Sequence, residues 1–210
     1  MTENFVKILK KLKALKFLVP VLIILAILFC LTPGYERAMP VPPEQRLLTW
    51  AQPLPDSKIG NFYKLSDDIY RGDRPTPDDL KELQKRGIKT LLDLEYFYTD
   101  RYAITKSQTN FKFLHVRMNP WNIKDEDIVT ALNILTDKNN YPIYVHCKHG
   151  SDRTGVVIAM YRIIVQGWSK EAAITEMKGG GYGFHLIWGN IPEYLENVDV
   201  EKIKAQKKAP

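Results

Sequence analysis

A chain of 210 residues is long enough for one well-packed domain, with or without an appendage. Hydrophobic residues make up 45% of the chain and charged residues 26%, which excludes a disordered or collagen-like protein. The formal net charge of +6 comes largely from lysines near the two ends, where those at the N-terminus precede an apolar run. That placement indicates a membrane surface rather than a nucleic acid, so no nucleic-acid partner is expected.

The first element in chain order is an apolar run in residues 17–31, which follows five lysines. About 20 apolar residues are needed to cross a bilayer, so the run is intermediate between a signal-peptide core and a spanning helix. Because no small-residue cleavage motif follows, we predict an uncleaved signal-anchor helix within residues 1–33. Lysines before the run predict a single-pass membrane protein with a cytoplasmic N-terminus and an external C-terminal domain, periplasmic in a bacterium.

Three further segments follow the predicted anchor. Residues 34–57 are rich in proline and predict an extended linker, residues 58–198 form the predicted domain, and residues 199–210 form a basic tail. Of the two cysteines, Cys30 lies in the apolar run and Cys147 in the domain. The domain therefore has no possible internal disulfide.

Strand and helix patterns alternate from residue 61 onward. We predict strands ending at residue 70 and over 89–94, 111–118 and 142–146, and helices over 76–87, 99–109, 125–138 and 154–166, with another after Ser169. The alternation predicts an α/β fold: a single three-layer sandwich with a mostly parallel sheet of four or five strands between helices. Ligands in such folds bind at the carboxyl ends of the strands, where segment 146–155 lies.

Segment 146–155 reads HCKHGSDRTG and combines an anion site with a nucleophile. A strand–loop–helix turn directs backbone N–H groups and the positive end of the helix dipole toward one point. Arg153 offers a planar fork for two phosphoryl oxygens, and Cys147 is expected to be ionised in this positive environment and to attack phosphorus. The residues expected to bind the substrate phosphate are Lys148, His149, Gly150, Ser151 and Asp152.

The neighbours of the nucleophile have predicted roles of their own. Thr154 is placed to donate its hydroxyl to the sulfur when water splits the cysteinyl phosphate, and His146 is expected to order the loop by hydrogen bonding. We expect no metal ion and no other cofactor.

The segment HCKHGSDRTG and the sequence YRGDRPTPDDLKELQKRGIK in residues 70–89 resemble the protein tyrosine phosphatase superfamily, on its dual-specificity side and near its atypical bacterial members. The resemblance extends from about residue 61 to residue 195. It implies metal-independent phosphatase chemistry by Cys147 and Arg153 on a compact sheet flanked by helices. The implied substrates are phosphoproteins or phosphoinositides, which the sequence does not separate. The alternative is a catalytically weak pseudophosphatase that binds phosphoresidues.

The general acid is left open by the sequence. Family members usually take the proton from an Asp on a loop before the Cys, but the corresponding segment MNPWNIKDED has no Asp in the customary place. Asp125 is the nearest carboxylate, although acidic residues are favoured in the first turn of any helix. Asp152 directly precedes Arg153, which resembles the loop of myotubularin-like and Sac-like phosphoinositide phosphatases, and that resemblance implies an acid within the loop itself. The alternative for Asp152 is a structural carboxylate that steadies Arg153 or the loop amides. The substrate or water could also supply the proton.

Overall fold

The computed structural model describes residues 36–207, together with Pro20. By compactness the chain divides into two units, Met1–Glu36 and Arg37–Pro210. The apolar run of the predicted signal anchor lies outside the described residues, so the anchor stays a prediction. Within the described residues, no helix has the length and apolar character needed to cross a bilayer.

The described part of the second unit contains six strands and seven α-helices. The strands are β1 (Gln52–Pro53), β2 (Tyr63–Lys64), β3 (Ile69–Gly72), β4 (Thr90–Asp93), β5 (Lys112–His115) and β6 (Ile143–His146). The helices are α1 (Pro77–Lys85), α2 (Arg101–Ser107), α3 (Asp125–Thr136), α4 (Asp152–Ile164), α5 (Lys170–Gly179), α6 (Asn190–Asn197) and α7 (Val200–Gln206).

The strands form one mixed sheet in the order β1-β2-β3-β6-β4-β5. Strands β3, β6, β4 and β5 run parallel to one another, whereas β1 pairs antiparallel with β2, and β2 antiparallel with β3, at one edge of the sheet. The predicted α/β sandwich is confirmed, but the predicted number of four or five strands is too low. The additional edge strands β1 and β2 are two residues long, too short for an alternating pattern to reveal.

Helices cover both faces of the sheet. On one face, Leu91 of β4 and Tyr144 of β6 pack in a cluster with buried residues of α1 and α2. On the other face, Leu92 and Val145 belong to a larger cluster that includes residues of α3, α4, α5, α6 and α7. Successive strand residues point to opposite faces, so β4 and β6 contribute to both cores and are fully buried.

Helix α1 begins and ends as its sequence predicts. Thr76 caps the N-terminus by accepting a hydrogen bond from the backbone N–H of Asp79, whose carboxylate accepts from the N–H of Thr76 in return. Gly87, two residues after the helix, has a φ of 84°, which a residue with a side chain adopts only with strain. The hydroxyl of Ser169 caps α5 in the same way, by accepting from the N–H of Ala172.

The proline-rich segment differs from the extended linker that the sequence predicted. Trp50 and Ala51 are buried, and the N–H of Ala51 donates to the carboxylate of Glu176 at 2.9 Å. Further upstream, the N–H of Val41 donates to the carbonyl of Gly179 at 2.8 Å. These contacts make the chain from residue 37 part of the compact unit, so the domain begins about 20 residues before the predicted boundary at 58.

The segment predicted as a basic tail contains helix α7. Asp199 caps this helix by accepting from the N–H of Lys202, and Ile203 is fully buried against the larger core. A single buried apolar position among lysines gives no helical periodicity, which is why the sequence predicted no packed element here.

Candidate active site

The predicted phosphate site lies at the carboxyl ends of three adjacent parallel strands. His146 ends β6, and in the sheet it is paired with Gly72 at the end of β3 on one side and with Asp93 at the end of β4 on the other. Cys147 follows His146, and α4 begins at Asp152. We call residues 147–151, which connect β6 to α4, the 147–151 loop.

Flanking groups hold the carbonyl oxygens of this loop from outside. The side-chain amide of Asn61 donates to the carbonyl of His149 at 2.7 Å, and the guanidinium of Arg71 donates to the carbonyl of Gly150 at the same distance. The hydroxyl of Ser151 also donates to the His149 carbonyl, at 2.9 Å. In a trans peptide the C=O and the next N–H point in opposite directions, so the N–H groups of Gly150 and Ser151 turn toward the interior of the loop.

Those inward N–H groups are available to a ligand. Within residues 36–207, the backbone N–H groups of Lys148, His149, Gly150 and Ser151 donate to no acceptor. Several consecutive free donors at the start of a helix form an anion-binding concavity. The phosphate-binding role of these residues stays a prediction.

Gly150 lets the loop rest directly on the end of β3. Its φ is 61°, in the left-handed region, and a Cβ at this position would lie 2.3 Å from the carbonyl oxygen of Gly72. The hydroxyl of Tyr144 fastens the same part of the chain, because it donates to the carbonyl of Asp73 at 2.6 Å. A residue with a side chain at 150 would therefore separate the loop from the strand.

The predicted nucleophile and its two predicted helpers lie at the loop and in the first turn of α4. Cys147 is a free thiol, 1% exposed, at the end of β6. Arg153 is half-buried, and within the described part of the chain its guanidinium makes no hydrogen bond or ion pair. The hydroxyl of Thr154 is fully buried and also lacks a partner among these residues. Arg153 is thus available to bind an anion, and the reaction roles of all three remain predictions.

His146 makes a different contact from the one expected of it. Its Nε2 lies 2.7 Å from a carboxylate oxygen of Asp100, and both side chains are fully buried. Burial alone would lower the pKa of His146, but the charge of Asp100 and the hydrogen bond to it outweigh burial and raise that pKa. A cationic imidazole is therefore favoured next to Cys147.

Asp93 and Glu95 extend this charged cluster beneath the loop. Asp93 is fully buried, and burial raises its pKa to about 6. Ligand atoms of Asp93, Glu95 and His146 lie within 4.8 Å of one another, close enough to hold a metal ion. However, Arg74 donates to both carboxylate oxygens of Glu95, at 2.5 and 2.6 Å. Arginine and histidine thus already balance much of the negative charge here.

The carboxylate of Asp125 is bound by two side chains from the C-terminal helices. Its carboxylate accepts from the amine of Lys202 at 2.7 Å and from the hydroxyl of Tyr194 at 3.0 Å. The hydrogen bond from Lys202 is the main cause that lowers the pKa of Asp125, and Tyr194 adds to it. A general acid must carry a proton before it reacts, and these contacts favour the ionised form.

Asp152 is held at the loop itself. One of its carboxylate oxygens accepts from the backbone N–H of His185 at 3.0 Å, and the Nδ1 of His185 lies 3.0 Å from the other. The His149 ring is 5.3 Å from the His185 ring, and burial is the main cause that lowers the pKa of His149. Lys148 is exposed beside them. Of the two candidate acids, Asp152 is the one within the phosphate-binding segment.

Sequence reasoning missed two residues of the site, Arg71 and Asp100. Arg71 occurs in the quoted segment YRGDRP, where an arginine within a short buried strand was the available signal. Asp100 precedes α2 in the N-cap position but makes no capping bond, because its side chain turns inward to His146. No local pattern distinguishes such a residue from an ordinary cap.

Known proteins resemble this chain in both sequence and fold. A family model described as the tyrosine phosphatase family matches residues 58–209. The dual specificity protein phosphatase TpbA of Pseudomonas aeruginosa PAO1 is 33% identical over 156 residues, which cover 74% of this chain and 69% of the relative. An inositol diphosphatase of Arabidopsis thaliana is 27% identical over 129 residues, covering 55% of this chain and 60% of the relative.

A solved structure gives the same assignment. A variant of P. aeruginosa TpbA in complex with phosphotyrosine is 31% identical, with a TM-score of 0.69, and the match covers 77% of this chain and 97% of that one. The family model spans well over half of the present sequence. The chain therefore belongs to the tyrosine phosphatase family, as a phosphatase of its atypical dual-specificity type.

Proposed function

We propose that this phosphatase is a membrane-anchored, metal-independent enzyme that hydrolyses phosphomonoesters through a cysteinyl-phosphate intermediate. The observation that carries the proposal is the 147–151 loop, whose carbonyls are bound from outside while its N–H groups are unoccupied. A free thiol begins this loop, and the guanidinium of Arg153, which has no partner within residues 36–207, follows it in α4. An anion with three terminal oxygens matches this set of donors.

The proposed reaction has two steps. The sulfur of Cys147 attacks phosphorus, forming an S–P bond while the P–O bond to the leaving group breaks, and Arg153 binds two of the non-bridging oxygens. Water then attacks phosphorus, the S–P bond breaks, and the hydroxyl of Thr154 donates to the departing sulfur. The imidazolium favoured at His146 adds positive charge next to the thiolate.

The proposed proton donor for the leaving oxygen is Asp152. It lies in the phosphate-binding segment directly before Arg153, whereas Asp125 lies outside that segment, in α3, with its carboxylate bound by Lys202 and Tyr194. Asp152→Asn is expected to reduce kcat for an alkyl phosphate by about 100-fold or more, with a much smaller effect on an aryl phosphate whose leaving group needs no proton. Asp125→Asn is the matched control and should affect the two esters equally. The opposite pattern would assign the acid to Asp125.

Single substitutions in the purified full chain test the nucleophile. Cys147→Ser is expected to abolish turnover of an aryl phosphate while substrate binding persists, because the loop amides and Arg153 are unchanged. Arg153→Lys should lower kcat/KM by about 100-fold, since a lysine cannot bind two oxygens in one plane. Substantial turnover by Cys147→Ser would contradict the proposal, and tight phosphopeptide binding without turnover in the wild type would indicate a pseudophosphatase.

The substrate is proposed to be a phosphoprotein or a phosphoinositide. A TpbA variant has been solved with phosphotyrosine, and another relative is named an inositol diphosphatase, so relatives support both classes. Lys148 is exposed at the loop and His149 is half-exposed, which would favour a polyanionic substrate. Comparing kcat/KM for phosphotyrosine, phosphoserine and phosphothreonine peptides with that for phosphoinositides in mixed micelles would separate the classes, with Cys147→Ser as the background.

The proposed location follows from the apolar run in residues 17–31. We expect residues 1–33 to anchor the enzyme, with the catalytic unit on the side opposite the cytoplasm. Protease treatment of intact cells or spheroplasts should digest the catalytic unit, whereas a cytoplasmic marker should survive. Protection of the catalytic unit, or its release by a salt wash, would contradict this topology.

A further inference from the structure

Arg71 is a buried cation beneath the proposed phosphate site. It lies in β3, is 1% exposed, and donates from Nη2 to the carbonyl of Gly150 at 2.7 Å. Its guanidinium carbon lies 3.8 Å from the ring centroid of Tyr182, whereas its Nε has no partner within residues 36–207. The side chain therefore connects the sheet to the back of the 147–151 loop.

No carboxylate within residues 36–207 forms an ion pair with Arg71. Another buried arginine, Arg162, donates to both oxygens of Glu176, at 2.7 and 2.8 Å. Arg71 takes part in no ion pair within the described residues, and its only hydrogen-bond acceptor there is a neutral carbonyl. An unpaired buried charge is unfavourable, so an anion formed or bound nearby would stabilise this one.

In the sheet, Arg71 is paired with Val145, two residues before Cys147, so the thiol is among the groups close to this charge. Burial lowers the pKa of Arg71, and Tyr182, Glu176, Cys147 and Tyr63 act in the opposite direction. Burial raises the pKa of Tyr182 well above its ordinary value, so the phenol stays neutral. Glu176 is already bound to Arg162, to the hydroxyl of Tyr182 and to the N–H of Ala51. The thiol of Cys147 is the facing group that the proposed reaction requires as an anion.

We infer that Arg71 is a positioning residue for the proposed phosphatase reaction: it holds the Gly150 carbonyl outward and stabilises the thiolate of Cys147. The inference rests on the proposed function, because the positive charge of Arg71 contributes to the reaction only if Cys147 reacts as a thiolate. Arg71 acts from behind the loop, so it contacts no substrate atom. Its two contributions, the hydrogen bond and the charge, are separable by substitution.

Alkylation of Cys147 by iodoacetamide over a range of pH tests the charge directly. The full chain is used with Cys30→Ser, so that Cys147 is the one thiol in the sequence. Arg71→Gln keeps a donor for the Gly150 carbonyl and removes the charge, whereas Arg71→Lys keeps the charge. We expect the pH midpoint of alkylation to rise by about one unit in Arg71→Gln and to change little in Arg71→Lys.

Arg46→Met is the matched control. The Arg46 guanidinium also lies over the Tyr182 ring, at 5.5 Å, and donates to carbonyl oxygens, but those belong to Gly180 and Ala51 rather than to the 147–151 loop. Removing Arg46 should therefore leave the alkylation midpoint unchanged. Cooperative thermal unfolding of each variant establishes that the comparison is made on folded protein.

The results separate this inference from the proposed function. A wild-type midpoint in folded Arg71→Gln, or equal shifts in Arg71→Gln and Arg46→Met, would overturn it. If Arg71→Gln does not fold, Arg71→Lys provides the test. A wild-type pH midpoint of alkylation together with a kcat/KM reduced by about 10-fold or more would support the inference. A raised pH midpoint of alkylation in Arg71→Lys would overturn it. Alkylation needs no substrate, so a shifted midpoint with no phosphatase activity would contradict the proposed function alone.

Discussion

Replacing Gly150 by alanine tests how closely the 147–151 loop must rest on β3. An alanine at a φ of 61° is strained by about 1 kcal/mol. Its Cβ would also lie 2.3 Å from the carbonyl oxygen of Gly72, whereas an ordinary contact is about 3.5 Å, so the loop must move by about 1 Å. Adding the cost of such overpacking, we expect the free energy of unfolding to fall by about 2–4 kcal/mol.

The activity of Gly150→Ala should fall further than its stability suggests. A displacement of about 1 Å in groups that orient a substrate lowers kcat/KM by about 100-fold. Gly87→Ala is the matched control, because Gly87 has a φ of 84° and no atom within 4 Å of the added Cβ. It should lose only about 1 kcal/mol and keep wild-type activity.

Urea unfolding of both variants measures the free energy of unfolding, and steady-state hydrolysis of an aryl phosphate measures kcat/KM. Equal losses of unfolding free energy in Gly150→Ala and Gly87→Ala would refute the steric reasoning. Wild-type kcat/KM in Gly150→Ala would show that the close packing of the loop on β3 does not matter for the reaction.

Three more substitutions test the groups around the loop. Because the pKa of Asp93 is raised to about 6, the folded chain binds a proton between about pH 4 and pH 6 that the unfolded chain does not, so this residue makes the free energy of unfolding fall as pH rises through that range. The free energy of unfolding of Asp93→Asn, measured in urea, should therefore rise relative to that of the wild type between about pH 4 and pH 6. The same pH dependence in both proteins would contradict this. Asp100→Asn removes the charged partner of His146 and should lower the free energy of unfolding by about 3 kcal/mol near pH 6. This loss should become smaller as pH rises through the raised pKa of His146. A loss that does not depend on pH would argue against the ion pair. Tyr144→Phe removes the donor to the Asp73 carbonyl and should cost about 1 kcal/mol of unfolding free energy, whereas an unchanged urea midpoint would show that the bond is not needed.

Sequence patterns predicted the helices and strands whose ends are set by residues nearby in the chain. Thr76 and Gly87 delimit α1 by capping, and Ser169 does the same at the start of α5. Strand β6 and helix α4 follow from an apolar strand pattern and a long apolar helix. The elements that sequence patterns missed are β1, β2, α6 and α7, because their short segments are held by contacts with distant parts of the chain.

Some residues of the candidate site could likewise be predicted from the sequence, and others could not. Cys147, Arg153 and their neighbours lie within a single short segment, so their spacing alone predicted an anion site with a nucleophile. The contacts that support this segment join residues far apart in the sequence: Arg71 and Gly150 are 79 positions apart, and Asp100 and His146 are 46 apart. Only the pairing of β3, β4 and β6 brings these residues together, and pattern reasoning does not determine strand order.

The most direct test of the account is to look for the covalent intermediate. The full chain is mixed with an aryl phosphate that has a good leaving group, quenched in acid within the first turnover, digested and analysed by mass spectrometry. The account predicts that the peptide containing Cys147 gains the mass of one phosphoryl group and that this species is absent from Cys147→Ser. Turnover in which no phosphoryl group reaches Cys147 at any quench time, or in which another residue carries it, would contradict the account.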